Sequence, residues 1–395
     1  MKSTKIKLGV FGFGCVGQGL KKVLDQTKGI NAEIKKICIK DGSKKRSLPD
    51  SFFTTDPDDI LKDPEIDVIV ELINDAETAY ILVKQALTDG KAVVSANKKM
   101  ISEHLTELYD LQQKHQSPFL YEGACCASIP IIRNLEEYYD NDLLLSVEGI
   151  FNGSTNYILS KIFNEDKTYD KALDEAQRFG FAESDPSLDL SGTDSAYKAT
   201  IIILHTFGIF TTRNQIFTQG IQQLSQFDID FAKRSGKSIK LITRCGKSGN
   251  KVYSYCIPAF ISSEDAMFTV NNEYNGLLLE SSFSQKQLFV GKGAGSEPTG
   301  SAVVSDISAL SYNYRYEYKK IKQANGTCFE NDKILKVYIR FRPYASIDLT
   351  RFINISERFT NSEGSYVIGD INLSDLPYFQ TIENENINII LVNKL

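Results

Sequence analysis

The chain has 395 residues, 42% hydrophobic and 24% charged, with a formal net charge of −5. That length supports two or three domains with cores of their own, and the acidic balance excludes the broad basic face that nucleic acid or an anionic membrane surface would need. No apolar run approaches the roughly 20 residues that cross a bilayer. The N-terminus has no signal-peptide pattern, and the seven cysteines and three histidines form neither a CxxC pair nor a ligand cluster. The expectation is a cytoplasmic, enzyme-sized protein with reduced thiols.

Lys5–Phe11 (KIKLGVF) is an apolar strand, followed at once by Gly12, Phe13, Gly14, Cys15, Val16 and Gly17 and then by a helix through Gln18–Gln26. Strand, G-x-G-x-x-G and helix is the context in which this motif binds a dinucleotide. The first two glycines let the backbone turn and approach a pyrophosphate, and the helix N-terminus offers amide hydrogens and a positive dipole end. A second strand, Glu33–Ile39, ends at Lys40 and Asp41, with Lys44, Lys45 and Arg46 close behind. A carboxylate there suits the ribose hydroxyls of NAD, and a basic residue suits the 2′-phosphate of NADP. The basic cluster, Lys40 included, tilts the expectation toward NADP and leaves NAD open.

Further strands are predicted at Asp67–Leu72, Ala92–Ala96 and Phe119–Tyr121, with helices at Ala76–Thr88 and Ile101–Gln113. This alternation predicts an α/β fold with a doubly wound parallel sheet and ligands at the carboxyl ends of its strands. Asn74, Ser95, Asn97, Lys98 and Glu122 lie at or just after such ends and are site candidates by position. Adjacent Cys125 and Cys126 have no histidine nearby in sequence and read as packing.

From Leu143 the pattern changes to a strand (LLLSVEGIF), a helix within Phe151–Phe163 opening near Ser154 or Thr155, and a helix at Tyr169–Phe179 ending at Gly180. Phe181–Gly208 follows. It places Glu183 and Asp185 before Pro186, then a helix with Ser191 as candidate cap and Gly208 as candidate stop. Asp194 and Lys198, four residues apart, share one face of that helix. Such a lysine is either an acid–base or substrate-binding group, or half of an ordinary ion pair on a half-exposed helix. Strands are predicted at Lys251–Ile257 and Ala266–Val270, and Val290–Ile307 is a glycine-rich loop feeding a helix. The expected domains are a dinucleotide-binding one over 1–130, completed by a helix near 299–316, and an α+β substrate and dimerisation domain over 131–298.

Taken together, GFGCVG, VELINDAETA, SANKKMIS, YEGACCASIP, GIFNGSTNYIL, GFAESDPSLDLSGTDSAYK and GKGAGSEPTGSAVVSDI resemble the homoserine dehydrogenase family in order and spacing, from about Lys5 to Tyr312. The resemblance implies NAD- or NADP-dependent interconversion of L-homoserine and L-aspartate 4-semialdehyde, a step toward threonine and methionine. It also implies a homodimer or higher homo-oligomer. With no aspartokinase-like region ahead of the first strand, the monofunctional form is expected. By motif position, Lys198 is implied as the acid–base lysine with Asp194 beside it, and Glu183 as the binder of the substrate amino group. Lys98 is implied as a second lysine near substrate and nicotinamide, and Phe13, Cys15, Val16 and Gly295 as cofactor contacts. Glu122, Cys125, Ala127 and Ile129 fall where some members bind a monovalent cation, Na or K, mostly through backbone carbonyls. Ala127 and Ser128 replace a commoner glycine pair there.

The tail, 333–395, reads as strand Leu335–Phe341, helix Ile347–Phe359, strand Tyr366–Leu373, a short helix after Ser374 and strand Ile387–Val392. This order resembles the regulatory ACT module, one strand short. Its loop after the first strand, Arg342 to Ser346, has no glycine, so the tail is expected to stabilise the protein without sensing an amino acid, with weak or no inhibition by threonine.

Overall fold

Six short strands, β1 (Ile6–Phe11), β2 (Ala32–Cys38), β3 (Phe53–Thr54), β4 (Val68–Glu71), β5 (Ala92–Ser95) and β6 (Phe119–Leu120), pair in the order β3-β2-β1-β4-β5-β6. Every pairing is parallel, which is the Rossmann order that the alternation of strands and helices calls for. β1 and β4 can be near-continuous apolar runs because both faces of such a sheet are covered; Leu8, Val10, Ile69 and Val70 have no exposed surface. The computed structural model describes residues 5–140, 143–343, 347–382 and 386–392. The chain divides into two units. The first holds this sheet and runs to Asp140, with Lys292–Lys319 added; the second is Asn141–Gly291 with Lys320–Leu395.

The segment added to the first unit contributes helix Ser296–Leu310, which lies against helix Cys15–Gln26. The two cross backbone to backbone. A Cβ on Gly19 would collide with the Ser296 carbonyl, and one on Gly300 with Gly19. The helix expected over Ile101–Gln113 is instead two, Lys98–Glu103 and Leu105–His115. The break falls at His104, whose ring stacks on Tyr80 at 3.7 Å.

The second unit is built on an 11-stranded sheet. Its strands are β7 (Leu144–Ile150), β8 (Phe217–Thr218), β9 (Ser238–Ser248), β10 (Lys251–Ile261), β11 (Tyr274–Ser281), β12 (Gln285–Lys292), β13 (Cys328–Phe329), β14 (Ile334–Phe341), β15 (Phe352–Thr360), β16 (Ser365–Asn372) and β17 (Asn388–Leu391). The main order is β12-β11-β7-β9-β10-β17-β14-β16-β15, with β8 and β13 also on β10. Two expected elements are absent here. Ala266–Val270 is a run of turns, not a strand; Met267 and Val270 are buried there as anchors, and Asp265 caps the turn at the Met267 amide, 2.8 Å. The helix expected over Ile347–Phe359 is a 3-10 turn, Leu349–Arg351, followed by β15. The described tail is therefore not one strand short: β14 to β17 form four antiparallel-paired strands. Of the loop after β14, Tyr344 to Ser346 lie outside the described residues.

The tail was expected to be a module of its own from Lys333, yet its strands continue the second sheet, β17 pairing with β10 at Leu391 and Ala259. A buried charge cluster pins it there. Arg340 on β14 donates to both carboxylate oxygens of Asp228 at 3.0 Å and to the carbonyls of Asn386 and Gln223. Tyr338 and Asn388 also donate to Asp228. Both charges are shut away from water, so removing one strands the other. Arg340→Ala should lower unfolding free energy by about 3–5 kcal/mol, read from urea denaturation. A loss below about 1 kcal/mol would mean that the tail is held by other contacts.

Candidate active site

In the second unit, the chain leaving β7 turns through Phe151 and Asn152 into helix Gly153–Asn164. Asn152 caps this helix, its Oδ1 accepting from the Thr155 amide at 2.9 Å, and Ser154 and Thr155 fall in the first turn as expected. The Asn152 Nδ2 points the other way and joins two carboxylates, Asp189 Oδ1 at 2.7 Å and Asp194 Oδ2 at 2.9 Å. Asp194 sits in the first turn of helix Thr193–Phe207, and one turn on, Lys198 donates to Asp194 Oδ2 at 2.7 Å and to the Phe151 carbonyl at 2.7 Å.

All 15 residues of this helix are buried, with 7% of the Lys198 side chain and 4% of that of Asp194 exposed. The half-exposed ion pair considered from the sequence is thus excluded: in water such a pair contributes a few tenths of a kcal/mol, whereas here two charges are held where water cannot solvate them. The helix begins at Thr193 with Gly192, not Ser191, in the cap position, and ends at Gly208, whose φ of +70° and N–H hydrogen bond to the Leu204 carbonyl make the expected stop. Asp189 rises above the usual carboxylate range, chiefly through burial and then through the neighbouring Asp194 charge. Glu183 is exposed, and its carbonyl accepts from Gln177. Asn152 and Asp189 were not singled out in the sequence, although both lie inside the motif segments around Lys198.

In the first unit, Gly12 turns with a φ of +97° against the Leu72 carbonyl, a geometry closed to other residues. Helix Cys15–Gln26 then starts at Gly14, with no side-chain cap among the described residues. Its first amides therefore have no side-chain acceptor among the described residues. Phe13 is buried, while Gly14 and Cys15 are exposed and Val16 is half-buried. A groove of about 510 Å³ adjoins the turn, bordered by Phe13, Gln18, Lys21 and Ser47. At the end of β2, Lys40 is exposed, while the Asp41 carboxylate is turned onto the amide and hydroxyl of Ser43 at 2.9 and 2.6 Å. Arg46 donates to the carbonyls of Asp41 and Lys44 and lies 5.3 Å from the centre of the Phe53 ring. Gly295 directly precedes helix Ser296–Leu310.

Glu71, at the end of β4, is a residue that sequence reasoning missed. Its carboxyl is fully buried and accepts from the Ser95 hydroxyl at 2.6 Å and the Ile73 amide at 2.7 Å. Ser95 accepts in turn from the Asn97 amide. Asn97 donates to the Ile73 carbonyl and caps the helix that Lys98 opens. This network ties together the turns after β4 and β5, which carry exposed Asn74 and half-buried Lys98. Its signal was a lone glutamate ending an apolar strand.

Both Glu122 carboxylate oxygens accept backbone amides, from Ile132 and Arg133 at 2.8 Å, and the Glu122 amide donates to Asp306. Arg133 reaches Asp306 at 3.0 Å. Cys125 and Cys126 are buried, as the packing reading requires. Cys126 and Ala127 have φ of +55° and +38°, so the glycine-like turn is kept here without glycine. Among the described residues no group of three or more His, Cys, Asp or Glu side chains is arranged for a metal ion.

Comparison with known proteins adds to this geometry. A family model described as homoserine dehydrogenase matches residues 130–308, and one for the homoserine dehydrogenase NAD binding domain matches residues 12–122. The chain is 34% identical to a homoserine dehydrogenase of Bacillus subtilis (strain 168) over 319 residues, 78% of this chain and 74% of the relative. It is 36% identical to that of Synechocystis sp. over 313 residues, 76% of this chain and 72% of the relative. A crystal structure of a homoserine dehydrogenase from Thiobacillus denitrificans matches with a TM-score of 0.88 and 28% identity, covering 99% of each chain. One from S. aureus matches with a TM-score of 0.76 and 28% identity, also covering 99% of each.

The buried carboxyls of the first unit carry a consequence for pH. Burial raises Glu71 and Glu122 to about 7 and Asp306 to about 6, against roughly 4 in an unfolded chain. Between about pH 5 and 7 the folded protein therefore holds more protons than the unfolded one, and stability falls as pH rises. Lys240, lowered to about 7 by burial, adds its opposite slope from about pH 6 upward and most of it above that window. The urea midpoint should drop from pH 5 to pH 7; a midpoint that climbs would contradict this assignment.

Proposed function

The chain belongs to the homoserine dehydrogenase family of NAD(P)-dependent oxidoreductases acting on the homoserine hydroxyl, and we propose that it interconverts L-homoserine and L-aspartate 4-semialdehyde with Lys198 as its acid–base group. The observation that carries the assignment of Lys198 is its buried pairing with Asp194 and the Phe151 carbonyl. The dinucleotide, when bound, supplies the hydride acceptor for the oxidation and the donor for the reverse. The protein's own task is to hold the alcohol and move one proton. In oxidation, neutral Lys198 Nζ takes the hydroxyl proton as the carbon gives up its hydride. In reduction, the charged ammonium returns that proton to the carbonyl oxygen. Asp194 keeps Nζ oriented in both directions and balances its charge when protonated.

Asp189, Asp194 and Glu183 are proposed to face the substrate ammonium, and Lys98 to serve as the second catalytic lysine. The glycine turn Gly12–Gly17, with Asn74, Ser95 and Gly295, is proposed to hold the cofactor. A monovalent cation would rest on the carbonyls of Glu122, Cys125, Ala127 and Ile129, since the Glu122 carboxylate is committed to backbone amides. Glu122 lies beside Asp306, which Arg133 pairs, and two neighbouring carboxyls suit a cation there.

We assign the protein to threonine and methionine biosynthesis in the cytoplasm. A homodimer is supported by exposed Leu145 on β7, Phe283 in the turn before β12, and Leu288 and Val290 on β12. The tail, as a continuation of the second sheet, is proposed to be retained for stability. The preference proposed is for NADP: Asp41 is occupied by Ser43, while Lys40 and Lys44 stand exposed beside Arg46.

Lys198→Ala should lower kcat for homoserine oxidation by about 100-fold or more while cofactor affinity stays within about two-fold, followed as reduced cofactor by absorbance. Near-normal kcat would refute the role. Lys40→Ala should weaken NADP(H) more than NAD(H), since only a 2′-phosphate needs the cation. Equal effects, or a wild-type preference for NAD, would assign the choice to Asp41.

A further inference from the structure

The Phe151 carbonyl that receives Lys198 is shared. Asn275, the second residue of β11, donates its Nδ2 to the same oxygen at 2.9 Å. The strand ladder brings it there: Gly276 pairs with Ile150, so the residue before Gly276 meets the residue after Ile150. Asn275 has no exposed surface. Its Oδ1 is buried and has no partner among the described residues.

The orientation of this amide follows from chemistry. A carbonyl oxygen only accepts, so the side chain must turn its nitrogen toward Phe151, and its own oxygen is then left where no donor reaches it. An unpaired buried acceptor is unfavourable. A leucine of similar volume would leave no such atom, and would leave the Phe151 carbonyl with Lys198 alone. What the asparagine contributes at this position is therefore the donated hydrogen bond. That bond fixes the direction of the carbonyl on which the lysine Nζ rests.

We propose that Asn275 is a positioning residue for Lys198, holding the Phe151 carbonyl so that Nζ is presented in one place between that oxygen and Asp194. This rests on the reading of Lys198 as the acid–base group. Asn275 acts through the carbonyl and has no contact with substrate assigned to it. A small displacement of a proton-transferring group is enough to slow the chemical step, while binding contacts made elsewhere stay as they were.

The test is Asn275→Leu in the full-length protein, with homoserine oxidation and thermal unfolding measured side by side. Wild-type melting temperature or higher is expected, because the unpaired oxygen is gone, with kcat down about 10- to 100-fold and cofactor KM within about two-fold. A merely structural asparagine would give the reverse, a lowered melting temperature with kcat kept. Asn275→Asp, of the same shape, serves as the second variant; it cannot donate as a carboxylate and should also lose kcat. A kcat within about two-fold of wild type in either variant overturns the proposal. So does a loss of kcat that comes with an equal loss of cofactor affinity. Lys198→Ala run alongside separates the two readings. If Lys198→Ala keeps activity, the acid–base assignment fails; if it is inactive while Asn275→Leu is normal, only the role of Asn275 fails.

Discussion

A lysine ammonium and an aspartate one helical turn apart, both out of reach of water, set the terms for the second unit. Taking the two charges out of water costs several kcal/mol per ion, and their attraction offsets that only when the geometry is good and the remaining hydrogen-bonding capacity is used. The structure meets both conditions. Asp194 also accepts from Asn152, and Lys198 also donates to Phe151. Each of these partners is fixed in turn, Asn152 by capping helix Gly153–Asn164 and Phe151 by its place at the end of β7. The helix that carries the pair is sealed on every side. At its end, a Cβ on Gly208 would collide with the backbone of Lys320, so the start of the C-terminal segment packs directly on the end of this helix.

The first unit solves a different problem with different means. For an anionic ligand to be held by main-chain amides, the backbone must come close to it and to other backbone. Gly12, and Gly19 where the two helices cross, permit that approach. The charged residues near the strand ends are mostly engaged in holding turns. Glu71 joins two of them through Ser95 and the Ile73 amide, and Asp41 closes a third through Ser43. This division of labour leaves few free carboxylates around the place where a phosphate-rich cofactor is expected.

How much of this was legible in the sequence depends on where each signal resides. The parallel sheet announced itself because strand length, glycine placement and helix periodicity are local, whereas β3, only Phe53–Thr54, was too short to leave such a signal and appears only in the folded order β3-β2-β1-β4-β5-β6. Strand β9 was passed over because Lys240 and Arg244, on one face of it, read as water-facing residues of a loop. Only the fold supplies their partners, Asn156, Val270 and Asn271 for the lysine and Glu148 for the arginine. β15 was misread as a helix because Phe352, Ile355 and Phe359 fall at helical spacing; it is an edge strand, largely exposed, held by main-chain pairing with β16. The same limit applies at the site. Asp194 and Lys198 are visible as an i,i+4 pair, but their burial is a tertiary fact, and so is the convergence of Asn152, Asp189 and Asn275 from three other segments.

The central claim is that the buried lysine handles the substrate proton. It is tested most directly by a crystal structure of the protein with oxidised cofactor and L-homoserine bound. The account predicts the homoserine side-chain oxygen within hydrogen-bond distance of Lys198 Nζ, about 3 Å, with Asp194 still holding that nitrogen. A substrate whose hydroxyl is bound by other groups, with Lys198 still closed between Asp194 and Phe151, would contradict it.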